Sequence, residues 1–114
     1  MRTRILVVGI ILLAFGSHAV FALQTPQEFF EQGNAFYKEG NYEAAAKAYE
    51  QVLSLGYVSP ELYYNLGNAF KEKKAFDKAI EHYKRSIDIN PGYSDAYTNL
   101  GLSLQEKNQY LEFA

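Results

Sequence analysis

Gly33, Gly67 and Gly101 return every 34 residues, and their surroundings return with them: FFEQGNAF at 29–36, YYNLGNAF at 63–70 and YTNLGLSL at 97–104. Each stretch has helical apolar spacing, and a glycine inside a helix costs about 0.8–1.0 kcal/mol relative to alanine. A glycine that recurs three times at one place in such a pattern therefore has a packing reason. The spacing predicts a neighbouring helix that passes too close for a side chain. A fixed period of this length also confines the chain to a tandem array, in which each unit buries its apolar face against the next.

The punctuation divides each unit into two helices. Thr25-Pro26-Gln27-Glu28 is a helix start with a capping residue, a proline in the first turn and a glutamate to close a capping box. It opens a helix over about 26–39, with Phe29, Gly33, Phe36 and Tyr37 on its packing stripe. Gly40-Asn41 ends that helix and caps the next, where Tyr42, Ala45, Ala46, Tyr49, Val52 and Leu53 recur at three- and four-residue steps as far as Leu55. Ser59-Pro60-Glu61 opens a third helix to about Lys73, with Tyr63, Leu66, Gly67 and Phe70 on one face. Phe76, Ala79, Ile80, Tyr83 and Ile87 mark a fourth, closed by Asn90-Pro91-Gly92. Ser94 caps a fifth over about 95–107, and Asn108-Gln109-Tyr110 reads as the opening of a sixth. Gly67 and Ala79 are small at facing positions, so Gly67→Leu is expected to overpack the pair by about 1–3 kcal/mol or more.

The fold class is thus all-α, made of tandem antiparallel helix pairs in about two and a half repeats. The units are 26–59, 60–93 and an incomplete 94–114. The pattern resembles the tetratricopeptide repeat, an α-solenoid with W-x2-L-G-x2-Y, then A-x3-F, then P in each unit. Tyr63, Leu66, Gly67, Phe70, Ala79, Tyr83 and Pro91 match in the middle unit. The first unit departs at Gln32 and Tyr57, and the third has Phe113 where alanine belongs. The resemblance implies that the first helix of each pair lines a concave groove for a protein or extended peptide. It places Phe30, Asn34, Tyr37 and Lys38, then Glu61, Tyr64, Asn65, Asn68 and Lys71, then Asp95, Thr98, Asn99, Leu102 and Gln105 along that groove. The expected peptide-binding set is Phe30, Asn34, Tyr37, Tyr64, Asn65, Asn68, Lys71, Thr98, Asn99 and Leu102. Asparagines supply donors and acceptors for a peptide backbone, and the aromatics add flat apolar contact. Some proteins of this fold clamp an acidic chaperone tail with groove cations. Here Phe30, Asp95 and Asn99 stand where those cations would be, so that use is not carried over. Residues 30–46 and 55–69, with the leader described next, are also similar to the repeat proteins of bacterial aerotolerance (Bat) operons, which suggests a role in envelope assembly.

Arg2 and Arg4, an apolar run over 5–15 and a small-residue end at Val20-Phe21-Ala22 have the three parts of a secretory signal peptide. Residues 1–22 are read as that signal, cleaved after Ala22, which makes the protein exported, periplasmic or secreted. The alternative is an uncleaved segment that anchors the chain to the membrane. There are no cysteines, hence no disulfides and no thiolate metal site. Removing Arg2 and Arg4 leaves nine basic groups against 13 acidic ones, net −4, a poor match for a phosphate backbone, so no nucleic-acid partner is expected.

Neither cofactor nor catalysis is expected. His82 is the one histidine after the leader and reads as a surface residue; no phosphate loop or metal-ligand spacing occurs. Glu43 is spaced to pair with Lys47, and the run at 71–74 to complement a helix dipole. The unfinished third unit leaves three readings open: a fragment of a longer protein, a fifth helix acting as an imperfect cap, or an open end that pairs with a second copy. The functional reading is a non-enzymatic adaptor that binds peptide through the groove. Its alternative is a structural module for self-association or docking through the open end.

Overall fold

The computed structural model describes residues 24–113. The expected export signal, 1–22, lies outside them. Five helices follow one another: α1 Pro26–Lys38, α2 Tyr42–Ser54, α3 Pro60–Glu72, α4 Phe76–Ile89 and α5 Ser94–Phe113. Thr25 closes the capping box with Glu28: its Oγ1 accepts from the Glu28 amide at 3.1 Å and its own amide donates to the Glu28 carboxylate at 2.9 Å. Asn41 and Ser59 cap α2 and α3 without a box, their side-chain oxygens accepting from the amides of Ala44 and Leu62. Three-residue turns join α1 to α2 and α3 to α4, so each pair is antiparallel. The turns require one residue at positive φ, which is Gly40 (78°) in the first and Lys74 (61°) in the second.

The pairs α1–α2 and α3–α4 are stacked through α2 on α3 and α4 on α5, and α3 also touches α5. Phe29, Ala45, Tyr49, Leu62, Leu66, Phe70, Ala79 and Tyr83 belong to one continuous core. The recurrent glycines have a reason more specific than close helix approach. Two of the three lie under a tyrosine ring of the following helix: a Cβ on Gly33 would stand 2.6 Å from Cδ1 of Tyr49, and one on Gly67 would stand 2.6 Å from Cδ1 of Tyr83, whereas Gly101 has no such neighbour. The three atoms nearest the Cβ position of Gly67 are all Tyr83 ring carbons, and Ala79 is fully buried. Gln32 is half-buried at the place where α3 has the fully buried Leu66.

Between units the contacts also repeat. Lys73 at the end of α3 pairs with Glu43 at the start of α2, and 34 residues on Lys107 of α5 meets Asp77 of α4 at 2.6 Å. Glu43 is therefore spent on Lys73 and not on Lys47. The hydrogen bond from Lys73, and then its charge, hold the Glu43 carboxyl below the usual range.

Two further expectations are corrected. His82 is not a surface residue: its ring lies between Phe70 (5.2 Å, nearly parallel) and Tyr63 (5.9 Å). Tyr63 and Phe70 are two turns apart on α3 and leave a ring-sized slot that the imidazole fills. The expected sixth helix does not form, because α5 runs unbroken through 108–110. Asn108 stands where Gly40 and Lys74 make their turns, but it stays helical. Continuing the helix keeps its backbone hydrogen bonds and lays Tyr110 edge-on against Phe76 at 6.0 Å. A reversal there would require a strained left-handed residue. Among the described residues no helix is long and apolar enough to cross a membrane.

Candidate functional site

The side of the molecule formed by α1, α3 and α5 carries a polar ladder built by the repeat. Tyr49 of α2 reaches over Gly33 and donates its hydroxyl to Asn34 Oδ1 at 2.7 Å. Tyr83 of α4 reaches over Gly67 and donates to Asn68 Oδ1 at 2.6 Å. The next unit adds an asparagine to each pair. Asn65 Nδ2 donates to Asn34 Oδ1 at 3.4 Å. Asn99 Nδ2 donates to Asn68 Oδ1 at 2.8 Å and to the Tyr64 hydroxyl at 3.1 Å. Glycine, asparagine and tyrosine thus form one device: the glycine admits the ring, and the asparagine that follows it receives the hydroxyl. A buried hydroxyl without such a partner costs about 1–3 kcal/mol.

The ladder leaves a defined set of polar atoms over. The Asn34 and Asn68 oxygens are used, so their amide N–H groups remain as donors. The Asn65 and Asn99 nitrogens are used, so their oxygens remain as acceptors. Asn34, Tyr37, Asn65 and Asn68, with Lys38 and Tyr49, line a hollow of about 180 Å³. Burial first, and the Glu72 carboxylate second, push the Tyr37 hydroxyl up to about 12. Burial likewise holds Tyr49 at about 12. Both are neutral phenols at any physiological pH. Lys38 is the one cation of the hollow, and nothing in it resembles a carboxylate clamp.

The expected peptide-binding residues divide into three groups. Asn34, Tyr37, Asn65 and Asn68 converge on the hollow. Tyr64 and Asn99 join them through hydrogen bonds, with Tyr64 packed against Tyr83 (6.0 Å) and Tyr93 (5.4 Å). Phe30 sits beside Tyr49 at 5.7 Å and lines a second, shallower depression with Tyr57, Val58 and Glu61. Lys71, Thr98 and Leu102 line neither. The Thr98 hydroxyl bonds its own helix at the Ser94 carbonyl, and Leu102 is exposed. Asn68 and Tyr64 hold the helices together as well as facing outward. Tyr49 and Tyr83 were legible only as core residues. Their roles as hydroxyl donors were signalled by the repeated Asn34-to-Tyr49 and Asn68-to-Tyr83 spacing of 15 residues. Among the described residues no cluster of three His, Asp or Glu could hold a metal ion.

A tetratricopeptide-repeat family profile matches residues 30–94, and a second profile of the same description matches 82–112. The chain is similar to the solved tetratricopeptide domain of Arabidopsis OM64, at 26% identity and a TM-score of 0.70, over 76% of this chain and 72% of that one. It is similar to the MamA protein at 27% identity and a TM-score of 0.70, over 88% of this chain and 60% of that one. It shares its fold with the second such domain of Spaghetti (RPAP3), solved with an HSP90 peptide: 23% identity, TM-score 0.70, 75% and 80% covered. No curated protein matches the sequence.

Proposed function

We propose, on the premise that this chain belongs to the tetratricopeptide-repeat family, that it is an exported, non-enzymatic adaptor that holds an extended segment of another protein along α1, α3 and α5. The observation that carries this reading is the set of atoms the ladder leaves over. Donors from Asn34 and Asn68 and acceptors from Asn65 and Asn99 succeed one another at the repeat spacing. An extended backbone offers alternating C=O and N–H groups, which such a row satisfies irrespective of side chains. Tyr37 and Tyr64 flank the row with apolar surface. A peptide ending in acids, such as the one held by Spaghetti, would find one cation here, Lys38, so the preferred segment is neutral or weakly acidic and bound mainly by its backbone. Export rests on the three-part leader at 1–22.

The test begins with peptides selected from a random displayed library against the protein without residues 1–22. Asn65→Leu is the probe substitution, because Asn65 makes only the long 3.4 Å bond within the fold. It is expected to weaken selected peptides at least tenfold while leaving the melting temperature within a few degrees. Peptides that bind equally well to this variant would reject the site.

A further inference from the structure

The hollow between α1 and α3 has walls that suit one kind of side chain. They come from Asn34, Tyr37 and Lys38 of α1, Tyr49 of α2, and Asn65 and Asn68 of α3, around about 180 Å³. At roughly 30 Å³ per water molecule this is space for the polar head of a side chain. Side chains of an extended segment alternate between its two faces, so a segment held along the ladder turns every second one toward the helices. The repeat does not supply the same walls twice: 34 residues on, Tyr37, Lys38 and Asn68 are replaced by Lys71, Glu72 and Leu102. The hollow therefore addresses one position of the segment.

The free polar groups of these walls are of both kinds. Asn34 and Asn68 have their oxygens taken within the fold and keep amide N–H groups; Asn65 has its nitrogen engaged and keeps its oxygen. An amide nitrogen carries two N–H groups and an amide oxygen two lone pairs, so contact with a peptide backbone does not exhaust them. A carboxylate only accepts and would meet the Asn65 oxygen. An ammonium or guanidinium only donates and would meet the Asn34 and Asn68 N–H groups. An apolar head would leave both kinds unpaired. The charges about the hollow are balanced as well. Lys38 lines it, and the Glu72 carboxylate adds to burial in raising the Tyr37 pKa, so an anion acts on the same wall. A neutral hydroxyl puts donor and acceptor on one atom, whereas a carboxamide separates them over two, as the walls do. We infer, resting on the adaptor reading above, that the hollow takes the side-chain carboxamide of an asparagine or glutamine in the bound segment. Its oxygen accepts from the Asn34 or Asn68 amide, and its N–H donates to Asn65 Oδ1.

The probes are peptides recovered from a random displayed library on the full chain, the most frequent one resynthesised with each residue changed in turn. One position is expected to be asparagine or glutamine in most recovered peptides. Changing that residue to the acid of the same shape, or to leucine, is expected to weaken binding at least tenfold. Against Asn65→Leu the same changes are expected to cost much less, which locates the carboxamide at the hollow. The gap between the amide and acid forms is expected to narrow about threefold in Glu72→Gln and to widen about threefold in Lys38→Gln. Both residues are exposed, so neither variant disturbs the core. Peptides that lose affinity to Asn65→Leu but accept acid and leucine at every position overturn the carboxamide and leave the backbone reading standing. An acid form that binds tighter than the amide form also overturns it and gives the hollow to a carboxylate. Peptides indifferent to Asn65→Leu, or a selection that recovers none, overturn both.

Discussion

A glycine in mid-helix is tolerated only where another group needs the space of its side chain, and the three glycines of this chain differ in that respect. At Gly33 and Gly67 the competing group is the ring of a buried tyrosine fixed at its far end by an asparagine. The ring cannot retreat without breaking that hydrogen bond. Gly67→Ala is therefore expected to destabilise the protein by about 1–3 kcal/mol, and Gly33→Ala by a similar amount. Gly101→Ala is expected to stabilise it by up to about 1 kcal/mol, since only the helix propensity changes. Urea denaturation of the three variants measures the contrast; a common sign for all three would reject the ring-on-glycine account. The period and the glycines were legible in the sequence, and so was the existence of a tight contact. The identity of the contacting group was not, because helical periodicity sorts residues by face and says nothing about which atom of a facing side chain arrives. The same limit put Asn68 among the outward residues. It is on that face, but its oxygen is taken by Tyr83.

At the scale of elements, the starts of α1, α2 and α3 and the stop at Asn90-Pro91-Gly92 were readable because caps and prolines act within a few residues. Turn formation inside a pair is different, since it depends on what the second helix can bury. Lys74 holds a left-handed conformation (φ 61°) that costs an L-residue roughly 1–2 kcal/mol, and the burial of Phe76, Ala79, Ile80 and Tyr83 offsets it. Asn108 is at least as able to turn as Lys74, yet it remains in α5, where the residues after it offer Tyr110 to Phe76 and leave Leu111 and Phe113 exposed. The sixth helix expected to open at 108–110 is thus not formed, and α5 continues through those residues. Lys74→Gly is expected to stabilise the α3–α4 pair by about 1 kcal/mol, because Gly40 already serves the same place in the first pair. The readout is a rise in the urea midpoint at constant slope. A fall would show that the Lys74 side chain contributes more than its backbone strain costs.

For the whole molecule, the buried titratable rings set the pH range over which the stack holds together. Tyr37, Tyr49 and Tyr83 all keep their protons above the ordinary phenol value near 10. Burial is the chief cause in each, with Glu72 adding at Tyr37 and Tyr64 at Tyr83. In the unfolded chain they release those protons at about 10, so above that pH the folded state binds more protons and stability falls as pH rises. Their placement makes the effect collective: Tyr49 closes the first pair, Tyr83 the second, and both anchor the ladder that ties α1 to α3 and α3 to α5. His82 works in the opposite direction. Burial between Phe70 and Tyr63 lowers its proton affinity below the usual value near 6.5; Lys78 and Arg85 add to this and Glu81 opposes it. The unfolded histidine takes up its proton at about 6.5 while the folded one stays neutral, so stability is full above that pH and declines as pH falls through it. The urea midpoint is therefore expected to be flat from about pH 7 to 9.5, to fall on both sides, and to fall more steeply on the alkaline side, where Tyr93, also raised by burial, acts with the other three. His82→Phe keeps a ring in the slot and removes the proton site, so it should remove much of the decline between pH 6.5 and 5. Tyr49→Phe should shallow the alkaline limb at the cost of a lower midpoint at neutral pH, because its hydrogen bond to Asn34 is lost. If His82→Phe leaves the acid limb as steep as before, the aromatic slot is not what depresses the histidine, and the acid sensitivity of the stack lies in its carboxylates, foremost Glu43 and its bond to Lys73.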